Sequence, residues 1–189
     1  MQSLLASIRL TIATMAFCVV GYAAVIWGIG QAVTPATANG SLITREDGTI
    51  VGSRLVGQNF TRPEYFWPRP SSAGDGYDAT AAAGSNKSPT SPDLTDRARG
   101  TVERYGATAG NPLPAELAAA SGGGLDPHIT ERGALYQAPR IAEARGVPQS
   151  DIETVIRDHV FSPGGFFTPD RLVNVLELNL ALDGLTATQ

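Results

Sequence analysis

The chain has 189 residues, with 14 basic and 18 acidic side chains, two histidines and one cysteine. A net charge of −4 without a basic cluster argues against a nucleic-acid partner. The single cysteine, Cys18, excludes an intrachain disulfide, so stability must come from packing or from a larger assembly.

Residues 10–38 carry no charge. The core of that run, Leu10 to Val33, would reach about 36 Å as a helix, against a hydrocarbon layer of about 30 Å. No proline precedes Pro35, so the helix can satisfy its own backbone throughout. Ala36-Thr37-Ala38 resembles a signal cleavage site, but the apolar run is far longer than the roughly 7–15 residues of a signal peptide. The reading is a retained anchor. Arg9 precedes the span, and Arg45, Glu46 and Asp47 follow it, which weakly favours a cytoplasmic N-terminus. The expected plan is a cytoplasmic stretch 1–9, a transmembrane helix 10–33, a linker 34–40 and an extracytoplasmic domain 41–189 of mixed α+β class. Such a chain would be a single-pass protein of the cell (inner) membrane. Setting Arg9 aside, 13 basic side chains face 18 acidic ones, so the outer part carries about −5. Ala24, Gly28 and Ala32, four apart within the span, would let a partner helix approach closely.

After the linker, Leu42-Ile43 and Ile50-Val51 with Leu55-Val56 flank Asp47-Gly48, which predicts a hairpin. Gly52 and Gly57 mark bulges or close backbone approach. Residues 60–92 are rich in Pro, Gly and Ser but hold Phe60, Tyr65, Phe66, Trp67 and Tyr77, which predicts an ordered, irregular segment. A helix capped by Ser91 should run from Pro92 to Tyr105 and end at Gly106, with Leu94, Ala98, Thr101, Val102 and Tyr105 on one face. A short helical piece covers Pro114–Ala120. Thr130 should cap a helix reaching Arg145, broken at Pro139. Pro148–Val160 is a helix with Ile152, Val155, Ile156 and His159 on one face. Phe161–Thr168 is a turn. Residues 172–183 suit either a strand or a helix; leucine content and Gly184 as a stop favour helix.

The chemistry concentrates in Ser121-Gly122-Gly123-Gly124-Leu125-Asp126-Pro127-His128. As a hydrolase, Ser121 would be nucleophile, His128 base and Asp126 orienter, although no G-x-S-x-G elbow is present. As a metal site, Asp126, His128 and His159 lack a recognised ligand spacing, so no metal is expected. As a phosphate cradle, the glycines lack the following Lys. The plainest reading is a packed turn whose rigid shape, Leu125 to His128, suits partner docking.

Seven blocks in order resemble the C subunit of the bacterial Kdp potassium-transporting P-type ATPase, the KdpC family. They are GSLI (40–43), VGSRLVGQNF (51–60), YFWPRPSSA (65–73), GSNKSP (84–89), ASGGGLDPHIT (120–130), YQAPRIAEARG (136–146) and VNVLELNLAL (173–182). The resemblance implies one membrane helix, an outer domain and no catalysis or bound cofactor of its own. It implies three partners: a potassium-selective channel-like subunit, an ATP-hydrolysing subunit and a small membrane subunit. It implies a chaperone role that raises the pump's ATP affinity, with Ser121, Gly122, Gly123 and Gly124 as the nucleotide loop and potassium as the transported ion. Gly123 departs from the serine usual there. A domain outside the membrane cannot touch cytoplasmic ATP, so that effect would be a coupling free energy through packed helices.

Overall fold

The computed structural model describes residues 2–45, 47–167 and 170–186. It divides into two compact units, Met1–Val51 and Gly52–Gln189.

The first unit is led by one unbroken helix, Gln2–Val33, long and apolar enough to cross a membrane and with no residue buried by the chain. It comprises α1 (Gln2–Met15), a π-helical turn (Ala16–Gly21) and α2 (Tyr22–Val33). The helix therefore also takes in residues 2–9. Thr34, at φ −138° and ψ 60°, ends it, and Pro35 opens a four-residue helix, α3 (Pro35–Ala38). The expected linker is thus partly helical, held by a reciprocal amide pair between Gln31 and Asn39 at 3.1 and 3.2 Å. The hairpin is present: β1 (Leu42–Thr44) and β2 (Ile50–Ser53) form a two-stranded sheet. At its turn Gly48 adopts φ +83°, and Asp47 accepts from the Thr49 amide at 2.8 Å. β2 ends at Ser53, so Leu55 and Val56 fall outside it.

The second unit packs helices around an apolar centre of Phe66, Leu117, Ile129, Ile141, Ile152, Ile156, Leu178 and Leu182. α4 (Pro92–Tyr105) has the expected bounds, and Gly106 closes it at φ +62°. Ser91 stands at the cap position without a side-chain capping bond. Val102 is exposed, and Arg97 takes its place on the half-buried face. α5 is only Ala115–Ala118, because Ala119 is already extended.

α6 (Glu131–Arg145) runs straight through Pro139, against the expected break. Pro139 and Leu135, whose carbonyl a proline at 139 deprives of its helical partner, lie one turn apart on the exposed side. The buried side, Ala134, Ala138, Ile141 and Ala142, keeps the helix in register. Thr130 does cap it, accepting from the Gly133 amide at 3.0 Å. α7 (Gln149–Asp158) buries Ile152, Val155 and Ile156, and His159 closes it two residues before the expected end.

A second small sheet corrects two expectations. β3 (His128–Thr130) pairs antiparallel with β4 (Leu172–Asn174), with His128 opposite Asn174 and Thr130 opposite Leu172. His128 therefore sits in a strand, and residues 172–174 are strand before α8 (Val175–Thr186) begins. Three-residue strands carry too little alternation to show in a sequence. The switch at 174 has a local cause: the Asn174 carboxamide oxygen accepts from the amides of Leu176 and Glu177, as a helix cap does. Gly184 stays inside α8 instead of ending it. The 161–167 part of the expected turn contains a 3-10 turn, Gly165–Phe167, and Phe161 bridges Leu172; Thr168 lies outside the described residues.

Candidate functional site: a glycine loop stitched to an irregular segment

The loop 121–127 follows α5 and leads into β3. Its first residue, Ser121, is buried, and its amide donates to Pro70 O at 3.3 Å. Gly124 adopts φ +78°, where a Cβ would lie 2.4 Å from Ala83 O and 2.9 Å from Ala73 N. Gly124 O accepts from the Ser71 hydroxyl at 2.6 Å, and that hydroxyl accepts in turn from the amides of Ala73 and Tyr77. A Cβ at Gly84 would lie 2.5 Å from Gly122 O, so these two backbones also approach closely. Leu125 O accepts from the Gly57 amide at 2.7 Å, and Pro127 O from the Val175 amide at 2.9 Å. Gly57 thus marks a close backbone approach, and Gly52 likewise, pressed by Gln58 and Leu176. Gly122 and Gly123 are exposed, with open space where a side chain would be.

The loop's polar side chains are spent on one another. His128 Nδ1 lies 2.9 Å from Asp126 Oδ1, which also accepts from the His128 amide at 3.0 Å. Arg69 reaches Asp126 at 3.4 Å and donates to the carbonyls of Ala119 and Ala120 at 3.3 and 3.1 Å. The hydrogen bond from the His128 ring holds the Asp126 carboxyl below its ordinary range, against a partial burial that acts in the opposite sense. The His128 ring also meets Phe161 edge-on, with centroids 5.3 Å apart.

The structure therefore joins Asp126 to His128 and leaves Ser121 out: among the described residues no hydrogen bond links Ser121 to His128. His159 belongs to another place, its Nδ1 lying 2.8 Å from Val155 O of its own helix. Among the described residues no three His, Cys, Asp or Glu side chains gather as a metal would require. Ala24, Gly28 and Ala32 remain on the exposed surface of α2, and a Cβ at Gly28 would touch nothing.

Sequence reasoning missed what holds the irregular segment. Two buried carboxamides act as substitute strands. Gln137 of α6 accepts from the Trp67 amide at 2.8 Å and donates to Trp67 O at 3.0 Å. Asn179 of α8 accepts from the Phe66 amide at 2.8 Å and donates to Phe66 O at 3.1 Å. Arg104 and Arg140 lie over the Trp67 ring, 4.0 and 3.7 Å from its centroid. Arg140 also donates to Tyr65 O and Gln137 Oε1, and burial draws its guanidinium down to about 10, still charged at neutral pH. Arg145 binds Glu64 O, Leu182 O and Asp183. The available signal was a pair of amides, Gln137 and Asn179, on otherwise apolar helix faces.

Residues in six of the seven blocks singled out in the sequence thus meet around the loop or hold the segment beneath it. Across residues 4–184 the chain matches the family described as "KdpC: K+-transporting ATPase, c chain". The chain belongs to the KdpC family. Curated relatives named as the KdpC subunit of a potassium-transporting ATPase agree along nearly their full length. That of Parvibaculum lavamentivorans is 65% identical over 183 residues, 97% of each chain. That of Caulobacter vibrioides is 47% identical over 165 residues, covering 86% of this chain and 83% of the relative. That of Bacteroides fragilis is 41% identical over 190 residues, 98% of each. As a KdpC chain, this protein is a subunit of a potassium-transporting ATPase.

Proposed function

We infer that the chain is a non-catalytic accessory subunit of an ATP-driven potassium uptake complex. Its N-terminal helix anchors it in the cell membrane with the N-terminus cytoplasmic, and the larger part lies outside. Its partners are the channel-like subunit, the ATP-hydrolysing subunit and the small membrane subunit; potassium is cargo, not a cofactor.

The observation that supports this reading is the closure of the glycine loop on itself. Asp126, His128 and Arg69 bind one another and the backbone, and Ser121 is buried apart from them. A loop so built presents a shape and not a reactive group. Leu125 to His128 form its docking edge, fixed from behind by Gly57, Ser71 and Val175. The acidic outer domain stands over the potassium entrance, where its field mildly favours cations within the Debye length of about 10 Å.

The family's effect on ATP affinity reaches the pump through packed helices, so Gly122 and Gly123 need not touch the nucleotide. The test is the ATP dependence of hydrolysis by the purified complex with and without this chain. Its removal should raise the KM for ATP; an unchanged KM refutes the coupling. In the complete complex, His128→Ala should lower complex yield and potassium uptake at micromolar supply, because it cuts into the docking edge and frees Asp126. Loss of a separate hydrolytic activity in that variant, with uptake preserved, would instead favour a Ser121–Asp126–His128 hydrolase.

A further inference from the structure

Where the apolar helix ends, the chain turns back on itself. α3 folds down beside the last turn of α2. The Gln31 and Asn39 carboxamides exchange hydrogen bonds at 3.1 and 3.2 Å, and Asn39 also donates to Pro35 O at 2.8 Å. A Cβ on Gly30 would lie 3.3 Å from that of Ala38. Gly30 and Gln31 are the two residues of the helix that the chain partly covers. Gly40 at φ +88° and Ser41 at φ +50° then reverse the direction, the Ser41 amide donates to Ala36 O at 2.8 Å, and Leu42 opens β1. Residues 35–41 form a closed hook.

Counting along the helix sets the depth of that hook. About 20 helical residues cover a hydrocarbon layer of about 30 Å, and counted from Leu10, just after Arg9, they end near Ile29. Gln31 is the first carboxamide after that charge and falls in the headgroup layer, roughly 5–8 Å deep on each side. The amide pair holds Asn39 at the level of Gln31. Ser41 is bonded to the hook, and Leu42 is one step of about 3.8 Å further on, so it is tied to the same level whatever direction the rest of the chain takes. The surface suits this layer. No charge lies between Arg9 and Arg45. Val33 and Leu42 are 72% and 53% exposed, and Pro35, Ala36 and Ala38 are exposed as well. The amides of Ala38, Asn39, Gly40 and Ser41 all donate within the hook, as backbone close to hydrocarbon requires.

We propose that the hook, with Val33 and Leu42 on either side of it, is seated in the outer headgroup layer and takes lipid as its partner. This rests on the reading of Gln2–Val33 as a membrane anchor. Apolar burial and not charge drives the seating, since the segment has no charged side chain. The seat fixes the height at which β1 leaves the membrane, and the Gln31–Asn39 pair is the staple that sets it.

In a Cys18→Ala background, Leu42→Cys carries a nitrobenzoxadiazole probe. The labelled full-length chain is reconstituted alone in phosphatidylcholine nanodiscs, with and without bromine on the upper acyl chain. Ile26→Cys, within the span, is the lipid reference, and Asp158→Cys, on an exposed helix end, is the water reference. The Leu42 probe should emit to the blue of the Asp158 probe and lose emission to the brominated lipid, as the Ile26 probe does. Gly30→Leu with Asn39→Ala crowds the Ala38 contact and removes the amide pair, and should bring the Leu42 signal to that of Asp158. Water-like, unquenched emission at Leu42 while Ile26 is quenched overturns the proposal and leaves the anchor standing. Emission that turns blue only in the assembled complex also overturns it, because a partner subunit and not lipid then covers the hook. An unchanged Leu42 signal in the double variant removes the hook as the cause of the seating. An unquenched Ile26 probe would refute the anchor itself, and the seat with it.

Discussion

Gln137→Leu tests what holds the irregular segment to the helices. The substitution keeps the size of the side chain and removes both halves of the amide. The Trp67 N–H and C=O then lose partners at 2.8 and 3.0 Å in a fully buried place. Each stranded backbone group costs about 1–3 kcal/mol, so the expected loss is roughly 2–6 kcal/mol. For a domain of this size that corresponds to a fall in Tm of roughly 6–18 °C, taking about 3 °C per kcal/mol. The assay is thermal unfolding of the full chain in detergent, followed by Trp67 fluorescence in a Trp27→Phe background, since these are the two tryptophans. Asn179→Leu should behave alike through Phe66. The double variant should lose less than the sum, because neighbouring clamps on one dipeptide are coupled. A fall in Tm of under about 2 °C in both single variants would show that the carboxamides do not hold the segment.

Gly124→Ala should cost about 3 kcal/mol or more, from a left-handed φ worth about 1–2 kcal/mol and a clash with Ala83 O; Gly123→Ala, in open space, should stay within about 0.5 kcal/mol. Equal effects in denaturant titration would mean the loop is not packed as described. Asp126, held below its ordinary pKa chiefly by the His128 ring, adds stability that is present above the unfolded carboxylate pKa and is lost as pH falls through the lower folded one. Being half exposed it contributes less than about 1 kcal/mol, and Asp126→Asn should flatten that acid limb of the stability profile; an unchanged limb counts against the pair. Gly28→Leu adds bulk to the Ala24–Gly28–Ala32 face and should reduce co-purification of partner subunits; unaltered stoichiometry removes that face from the interface. In a Cys18→Ala background, Asp158→Cys should react with an impermeant thiol reagent added outside intact cells; labelling only after lysis would reverse the orientation.

Helix positions were legible where the signals are local. Pro92 and Gly106 bound α4, and Thr130 opens α6, because a fixed φ, a left-handed stop and a hydroxyl cap act within one turn. Pro139 misled for the same reason: its local preference is real, but the packing of Ala138 and Ile141 on the buried side of α6 outweighs it. The β3–β4 pair was illegible since its partners are 46 residues apart at His128↔Asn174 and each strand is three residues long. The glycine loop could be singled out from composition alone. Of its partners, Gly57 was marked as a close backbone approach but not tied to the loop, and Ser71 was not marked at all, for a backbone amide and a lone hydroxyl leave no pattern.

The two halves of this arrangement depend on each other. The segment 60–91 has no helix or strand, so its backbone groups need partners from elsewhere. Gln137, Asn179, Arg140 and Arg145 supply them from α6 and α8. Once fixed, the segment in turn offers Pro70 O and the Ser71 hydroxyl to the glycine loop. The loop's shape is therefore set at second hand by buried carboxamides and guanidinium groups in the core. Loosening Gln137 should blur the docking edge from Leu125 to His128 without touching it. Partner assembly should then fail in Gln137→Leu at temperatures below its unfolding midpoint, a result that loss of global stability alone would not produce.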